Sequence, residues 1–377
     1  MRAKELISAV SVLVGTVVGI GIFGVPFTFI KSGFLAGLLM LGVTFAITLL
    51  LNLAFGEVAL RTEGNHQLTG YAEAYLGRNW KKAILFTYTL GIYSALLIYT
   101  IISGEFLATL LSVTPYILSP EKLSLIFFAV GSLAILAGVK RISWLEIVTV
   151  AMLLLTVGAL TFISIPKINL SSIPLFRLEF LFLPYGVLLF ALRGSPAIPM
   201  QREILEGKEK YLKKAIIWGT TLPAIMYLIF AFVVAGVSGE ATSPEVVLGL
   251  IPFLGFPILF IISLFGVLAI GTSFFGLGTA LYESFHYDFH ISKGLAWFSV
   301  IFPPLLLFVF GIRDFINVMN LAGSVAIGLE SIIFIMIYRR IKKSGQREPE
   351  YSLDFSNWVW YLIIGLLIVG IAYTLIV

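Results

Sequence analysis

Eleven apolar stretches, most of them near the roughly 20 residues that a helix needs to cross a bilayer, constrain this 377-residue chain more than any other feature. They run at about 6–30, 34–60, 83–110, 123–139, 142–165, 180–201, 213–236, 256–282, 294–311, 314–338 and 357–377. Residues 244–254 are apolar but too short to span, so they are expected to form a half-helix on one surface. Only 12% of the residues are charged and 59% are hydrophobic, with a mean hydropathy of +1.04. A soluble surface needs about a quarter charged residues, so the sequence predicts an all-α integral membrane protein.

Lysine and arginine placement orients the spans. With the N-terminus in the cytoplasm, 19 of the 25 basic residues fall on the cytoplasmic side, five on the other, and Arg193 lies inside the sixth span. That asymmetry accounts for the pI near 9.2 without a nucleic-acid partner, and the run from Arg339 to Lys343 is expected to face anionic lipid head groups. The first stretch is too long for a signal-peptide core and has no small-residue cleavage pattern after it, so it reads as a retained span. Trp80, Trp144, Trp297, Trp358 and Trp360 fall near span ends, where interfacial anchors belong.

Enzymatic chemistry finds little to work with. There is no cysteine, which removes disulfides, thiol nucleophiles and thiolate metal sites. The spans also lack histidine and paired aspartates, so an intramembrane hydrolase or transferase would have neither nucleophile nor base. His66 is in a loop. His286, Asp288 and His290 could form an i, i+4 metal pair, although loop histidines are more often unliganded. No cofactor is expected.

The stretch GIGIFGVP, residues 19–26, holds Gly19, Gly21 and Gly24 in the spacing of a dinucleotide-binding loop. The context rules that out: Pro26 interrupts a helix starting there, and Thr44 stands where a ribose-binding acid would be needed. In a bilayer, a Gly/Pro-broken helix is tolerated only where it lines a cavity or packs within protein. Such a break frees carbonyls on one side and amide hydrogens on the other, which suits a zwitterion or a small cation. An inverted-repeat fold would place a second break five spans later. The sixth span supplies it, with Arg193, Gly194, Ser195, Pro196 and Pro199 clustered in its middle and inner half.

The run Gly15-Thr16-Val17-Val18-Gly19-Ile20-Gly21-Ile22-Phe23, followed by Pro26, resembles the first helix of the amino acid/polyamine/organocation superfamily. In the eighth span, Ala269-Ile270-Gly271-Thr272-Ser273-Phe274-Phe275-Gly276, and in the sixth, Phe190 to Pro199, are similar to the hydroxy and aromatic amino-acid permease branch of that superfamily. The resemblance implies a leucine-transporter-type fold of about 11 helices. The substrate's carboxylate would meet backbone amides near Ile20 and Gly21, and its amino group the carbonyls of Val17, Phe190, Ala191 and Leu192. One cation would lie between helices one and eight, on the carbonyls of Gly15, Val18 and Ala269 and the hydroxyls of Thr272 and Ser273; five oxygens suit a hard ion. Ile22 stands where some relatives carry an amide for a second sodium, so that second site is expected to be absent. The span 142–165 has no lysine to stand in for sodium as in some proton-coupled relatives. The ligand set favours Na+ and the branch favours H+, and both remain open.

Arg193 departs from the pattern. A membrane-embedded charge that cannot be titrated away is a functional candidate by default. It would contact the substrate carboxylate or act as a fixed charge near the cation, or else pair with Glu57, Glu105 or Glu330 and hold helices in register. Glu57, near the cytoplasmic interface, is a candidate proton carrier or gate as much as a solvated carboxylate, and Glu330 lies deeper as a second proton-coupling candidate. Tyr88, Tyr93, Tyr99, Phe274 and Phe275 are candidates for setting substrate size.

The sequence thus reads as one domain, 1–377, with repeats at about 6–165 and 180–338 and an accessory helix at 357–377. Its expected role is a monomeric, multi-pass symporter of the cytoplasmic membrane that imports a neutral, aromatic or hydroxylated amino acid with H+ or Na+ by alternating access. A sensor on the same scaffold, or an uncoupled facilitator or exchanger, is the alternative. A channel would need a repeated polar ring.

Overall fold

The computed structural model describes residues 2–64, 66–113, 118–137 and 143–376. Lys140 and Arg141 lie outside the described residues, as do the side chains of Arg2, Trp144 and Asp288. Sixteen α-helices and no strand occur among the described residues: α1 (Arg2–Val17), α2 (Gly21–Ser32), α3 (Phe34–Arg61), α4 (Leu68–Leu76), α5 (Arg78–Leu111), α6 (Pro120–Leu136), α7 (Ser143–Ser164), α8 (Leu183–Ala191), α9 (Ile198–Ile204), α10 (Leu212–Ser238), α11 (Val247–Leu254), α12 (Phe256–Glu283), α13 (Lys293–Val309), α14 (Phe315–Leu321), α15 (Gly328–Ser344) and α16 (Asn357–Ile376). Seven segments are long and apolar enough to cross a membrane, and the pair α1–α2, bent by 59°, makes an eighth. The other three apolar stretches of the sequence coincide with α6, α7 and α13. Large apolar side chains stand exposed on these spans, Phe86, Leu155, Phe162 and Trp358 among them, as a lipid-facing surface requires. The expected half-helix is α11.

Both breaks are present. Val18, Gly19 and Ile20 separate α1 from α2, and Leu192, Arg193 and Gly194 leave helical geometry between α8 and the short turn that leads into α9. Pro26, however, does not interrupt the helix. It sits in the second turn of α2, where it removes only the amide that would have bonded the Ile22 carbonyl, and burial of nearly every α2 residue holds the helix together. The two breaks touch. A Cβ on Gly21 would lie 2.8 Å from both Cα and Cβ of Ala191, so the absence of a side chain at 21 is what lets the two spans close.

The helices fall into two packed groups. In one, α1 packs on α10 and α9, and α2 on α8, α10 and α3; in the other, α12 packs on α5, α7 and α6, and α13 on α5. Helices of the first group come from residues 2–61 and 183–238, and those of the second mainly from 78–164 and 256–309. The segment Phe315–Ser344 runs between them, α14 joined to α15 through a π-helical segment, Ala322–Ile327.

Two surface expectations fail for one reason, a polar knot beneath the 345–356 segment. Trp360 is buried against Tyr338 (ring centroids 4.7 Å apart) instead of anchoring at the interface. Lys342 turns inward, 3.0 Å from Glu57, instead of facing lipid head groups. Trp297 also works inside the protein, donating to the Ser132 carbonyl at 2.9 Å and tying α13 to α6.

Candidate functional site

At the breaks, α1 ends on Val17 and α8 on Ala191, so two helix C-termini bring their last carbonyls together while α2 begins at Gly21; the carbonyl of Val17 also accepts from the Gly19 amide at 3.0 Å. The partial charges of those ends are negative and positive respectively. One hydroxyl bridges the carbonyls. Tyr227 of α10, fully buried, places its Oη 2.7 Å from the Val17 oxygen and 3.0 Å from the Ala191 oxygen. A phenol has a single proton to donate, so it satisfies one carbonyl at a time. Sequence reasoning missed Tyr227, because nothing distinguishes it among 15 tyrosines in an apolar chain.

A cavity of about 700 Å³ opens at this point. Val17, Ile20, Gly21, Phe190, Ala191 and Arg193 of the expected substrate set line it, and Leu192 does not. Of the expected cation ligands, Gly15, Val18, Ala269 and Ser273 line the same cavity. Thr272 is not among the lining residues; its Oγ1 donates to the Ala269 carbonyl at 2.9 Å. Because α1 packs mainly on α10 and α12 mainly on α5, these ligands belong to opposite groups of helices and share one open space. At one end the cavity reaches Gln67, Leu68 and Thr69, Met200, and Glu283 and Ser284, where α12 finishes. At the other it stops at Phe23, whose ring meets Phe106 edge-on at 5.4 Å and Phe230 at 6.5 Å. All three rings are buried. Tyr88 and Tyr99 line the cavity, whereas Tyr93 donates to the Ser299 carbonyl at 2.6 Å and Phe274 packs on Phe127 and Phe128.

Of the three partners considered for Arg193, the structure selects Glu330. Nη2 lies 2.7 Å from Oε2, both side chains are largely buried, and both line the cavity. The ring of Tyr88 lies 5.9 Å from the guanidinium carbon, within reach of a cation–π contact. Glu57 is placed quite differently from a solvated interfacial carboxylate. It is wholly buried and away from the cavity, with Oε1 2.8 Å from Arg61 Nε and 3.0 Å from Lys342 Nζ. Its Oε2 accepts from Tyr338 Oη at 2.9 Å and from the Leu353 amide at 2.8 Å. As for the loop histidines, the ring of His286 stacks on Tyr282, with Nδ1 2.8 Å from the Ile291 carbonyl. No group of three metal-binding side chains occurs among the described residues.

A cavity seated on two broken helices is where inverted-repeat transporter folds place their solute site. The sequence pattern of the tryptophan/tyrosine permease family matches residues 2–374. The chain belongs to that family. It is therefore an amino-acid permease and not an enzyme. It is 24% identical to glutamine transporter 2 of Aliivibrio fischeri, over 93% of this chain and 92% of that one. It is 22% identical to tyrosine-specific transport system 1 of Haemophilus influenzae, over 99% and 97%. Among solved structures it resembles the inward-facing conformation of Mhp1, with a TM-score of 0.69 and 13% identity over 98% of this chain and 88% of that one. It also resembles MhsT in complex with L-phenylalanine, with a TM-score of 0.64 and 17% identity over 98% and 96%. The permease thus has the leucine-transporter-type fold that its sequence motifs implied.

Proposed function

We propose that this permease is a monomeric symporter of the cytoplasmic membrane, with its N-terminus in the cytoplasm, that imports a neutral amino acid with an aromatic or hydroxylated side chain. The observation that carries the reading is the single cavity onto which both helix breaks and most of the expected cation ligands open. The neutral amino acids in the names of its relatives, tyrosine and glutamine, agree with it. With the N-terminus inside, the ring seal at Phe23 faces outward and the open end faces the cytoplasm. Import then requires the helix group that carries the breaks to rock against the group containing α5 and α12.

That movement suggests how the driving ion acts. Gly15 and Val18 move with the first group, and Ala269, Thr272 and Ser273 with the second, so a sodium ion held by all five would favour the state in which the groups approach each other. A proton would act instead at Glu330. Glu57, held by two cations and several donors, is assigned to structure. Coupling in either case is a reciprocal free energy between ion and solute.

The test is uptake of labelled tyrosine, tryptophan and glutamine into proteoliposomes under an inward Na+ gradient or an inward H+ gradient. Accumulation driven by Na+ and lost in Thr272→Ala would support the five-oxygen site. Accumulation driven by H+ alone would retire it. Exchange without accumulation would make the protein a facilitator, and binding without flux a sensor.

A further inference from the structure

Arg193 is only partly used by Glu330. The pair makes one contact, Nη2 to Oε2, while Arg193 Nε is buried without any hydrogen-bond partner. A guanidinium edge that offers both Nε–H and Nη–H is shaped for two parallel bonds to one carboxylate, and an unpaired buried donor is costly. Room has been left around it. A Cβ on Gly91 of α5 would come within 3.3 Å of Nη1, so the helix facing the guanidinium carries no side chain there.

Behind the pair lies a second space. It measures about 40 Å³ and its lining is mostly apolar, Phe55 and Phe334 among it, with Thr48, Asn52, Ser195 and Ser331 contributing polar groups beside Arg193 and Glu330. A buried water needs roughly 10–15 Å³ of such space, so this pocket has room for one beside hydroxyl and amide groups able to bond a carboxylate. Glu330 therefore stands between a large cavity open to solute and a small, mainly apolar one that carries four polar side chains. The π-helical segment Ala322–Ile327 directly precedes the helix that carries Glu330, and such segments are points where a helix adjusts its register.

We propose that Glu330 is a built-in stand-in for the solute's carboxylate. The entering amino acid takes the Nε–Nη2 edge of Arg193 with its own carboxylate, and Glu330 turns to the hydroxyl and amide groups that the small cavity offers, Thr48, Asn52, Ser195 and Ser331. Arg193 then stays paired throughout, and a bare guanidinium at membrane depth, which would be strongly unfavourable, is avoided. This inference rests on the reading that an amino acid binds in the large cavity. It adds a carboxylate-recognising side chain to the backbone amides near Ile20 and Gly21.

The experiment is competition binding on the purified full-length protein, using labelled tyrosine, tryptophan and glutamine displaced by each unlabelled amino acid and by its carboxamide, which keeps the amino group and side chain. Wild-type protein should prefer the free acid to the amide by about tenfold or more, the size expected of a charge-assisted bond. Equal affinity overturns the proposal however the variants fold. Glu330→Gln should bind the acid several-fold more tightly with the amide little changed, because the internal competitor is gone, while Arg193→Gln should weaken the acid several-fold more than the amide and so shrink the preference between them. Parallel losses for acid and amide in both variants would mean a purely structural pair and overturn the exchange. If wild-type protein binds none of the three amino acids, the transport reading itself falls and the exchange with it.

Discussion

Glu57 and Glu330 are both buried carboxylates beside cations, yet their surroundings differ. Around Glu57 stand Arg61, Lys342, Tyr338, the Leu353 amide and, at 3.2 Å, the Ser352 hydroxyl. Both oxygens are saturated, and the carboxylate ties α3 to α15 and to the segment that follows it. The same segment bonds α3 elsewhere, through the Gln346 and Arg347 amides on the Arg61 carbonyl and through Tyr351 Oη, 2.6 Å from the Leu53 carbonyl. Glu330 has one cation, a cavity on each side, and a partner with a donor to spare. Burial alone does not separate them. The number of partners does, because a saturated charge can only be broken whereas an unsaturated one can be traded.

The sharpest way to break this comparison is to remove each carboxylate in turn. Glu57→Ala would leave two cations facing each other and strand the Leu353 amide, with the Tyr338 hydroxyl reduced to its longer bond to the Leu353 carbonyl, 3.2 Å. Losing one member of such a buried cluster costs roughly 3–5 kcal/mol, so a large fall in melting temperature is expected. Glu330→Gln should change solute affinity with a much smaller effect on melting. Equal destabilisation in the two thermal scans would erase the distinction between them.

A second contrast concerns the two breaks, which the packing joins at Gly21 against Ala191 and the Tyr227 hydroxyl joins again. Tyr227→Phe keeps the ring and strands a carbonyl, at a cost of about 1–3 kcal/mol. If the hydroxyl also couples the two half-helices, solute binding should weaken by more than the loss of melting temperature would suggest. Unchanged binding with lowered melting would limit Tyr227 to satisfying backbone.

How far the sequence reveals these features follows from what each one depends on. The spans and both breaks depend on local chemistry, apolar length and Gly/Pro placement, and they were legible. The Arg193 pairing was legible only as a choice among three glutamates, because it depends on which helices meet. Lys342 looked like one more basic residue near lipid, and Trp360 like an anchor, because their partners Glu57 and Tyr338 lie elsewhere in the chain. Pro26 misled through its own rule: the cost of an interior proline is real, but packing on α8 and α10 outweighs one missing amide. Tyr227 and the small cavity arise only from assembly, so no sequence pattern marks them.

Glu245 extends the series of buried carboxylates to one that has no basic partner among the described residues. It lies in the segment between α10 and α11, outside the spans, and burial pushes its carboxyl above the usual carboxylate range. The folded state therefore holds the Glu245 proton more firmly than the unfolded chain does. The stability this confers is complete below the unfolded value and is lost as pH rises through the raised folded one. Glu245→Gln, which is never charged, should melt higher than wild type at about pH 8, and the gap should close as pH falls toward about 3, where the wild-type carboxyl is protonated in both states. This is the smallest of the expected effects, and thermal scans across that pH range would read it. A gap of the opposite sign, with Glu245→Gln melting lower than wild type at about pH 8, would mean that Glu245 has found a cation and belongs beside Glu57, and a gap independent of pH would mean that folding leaves its affinity for the proton unchanged.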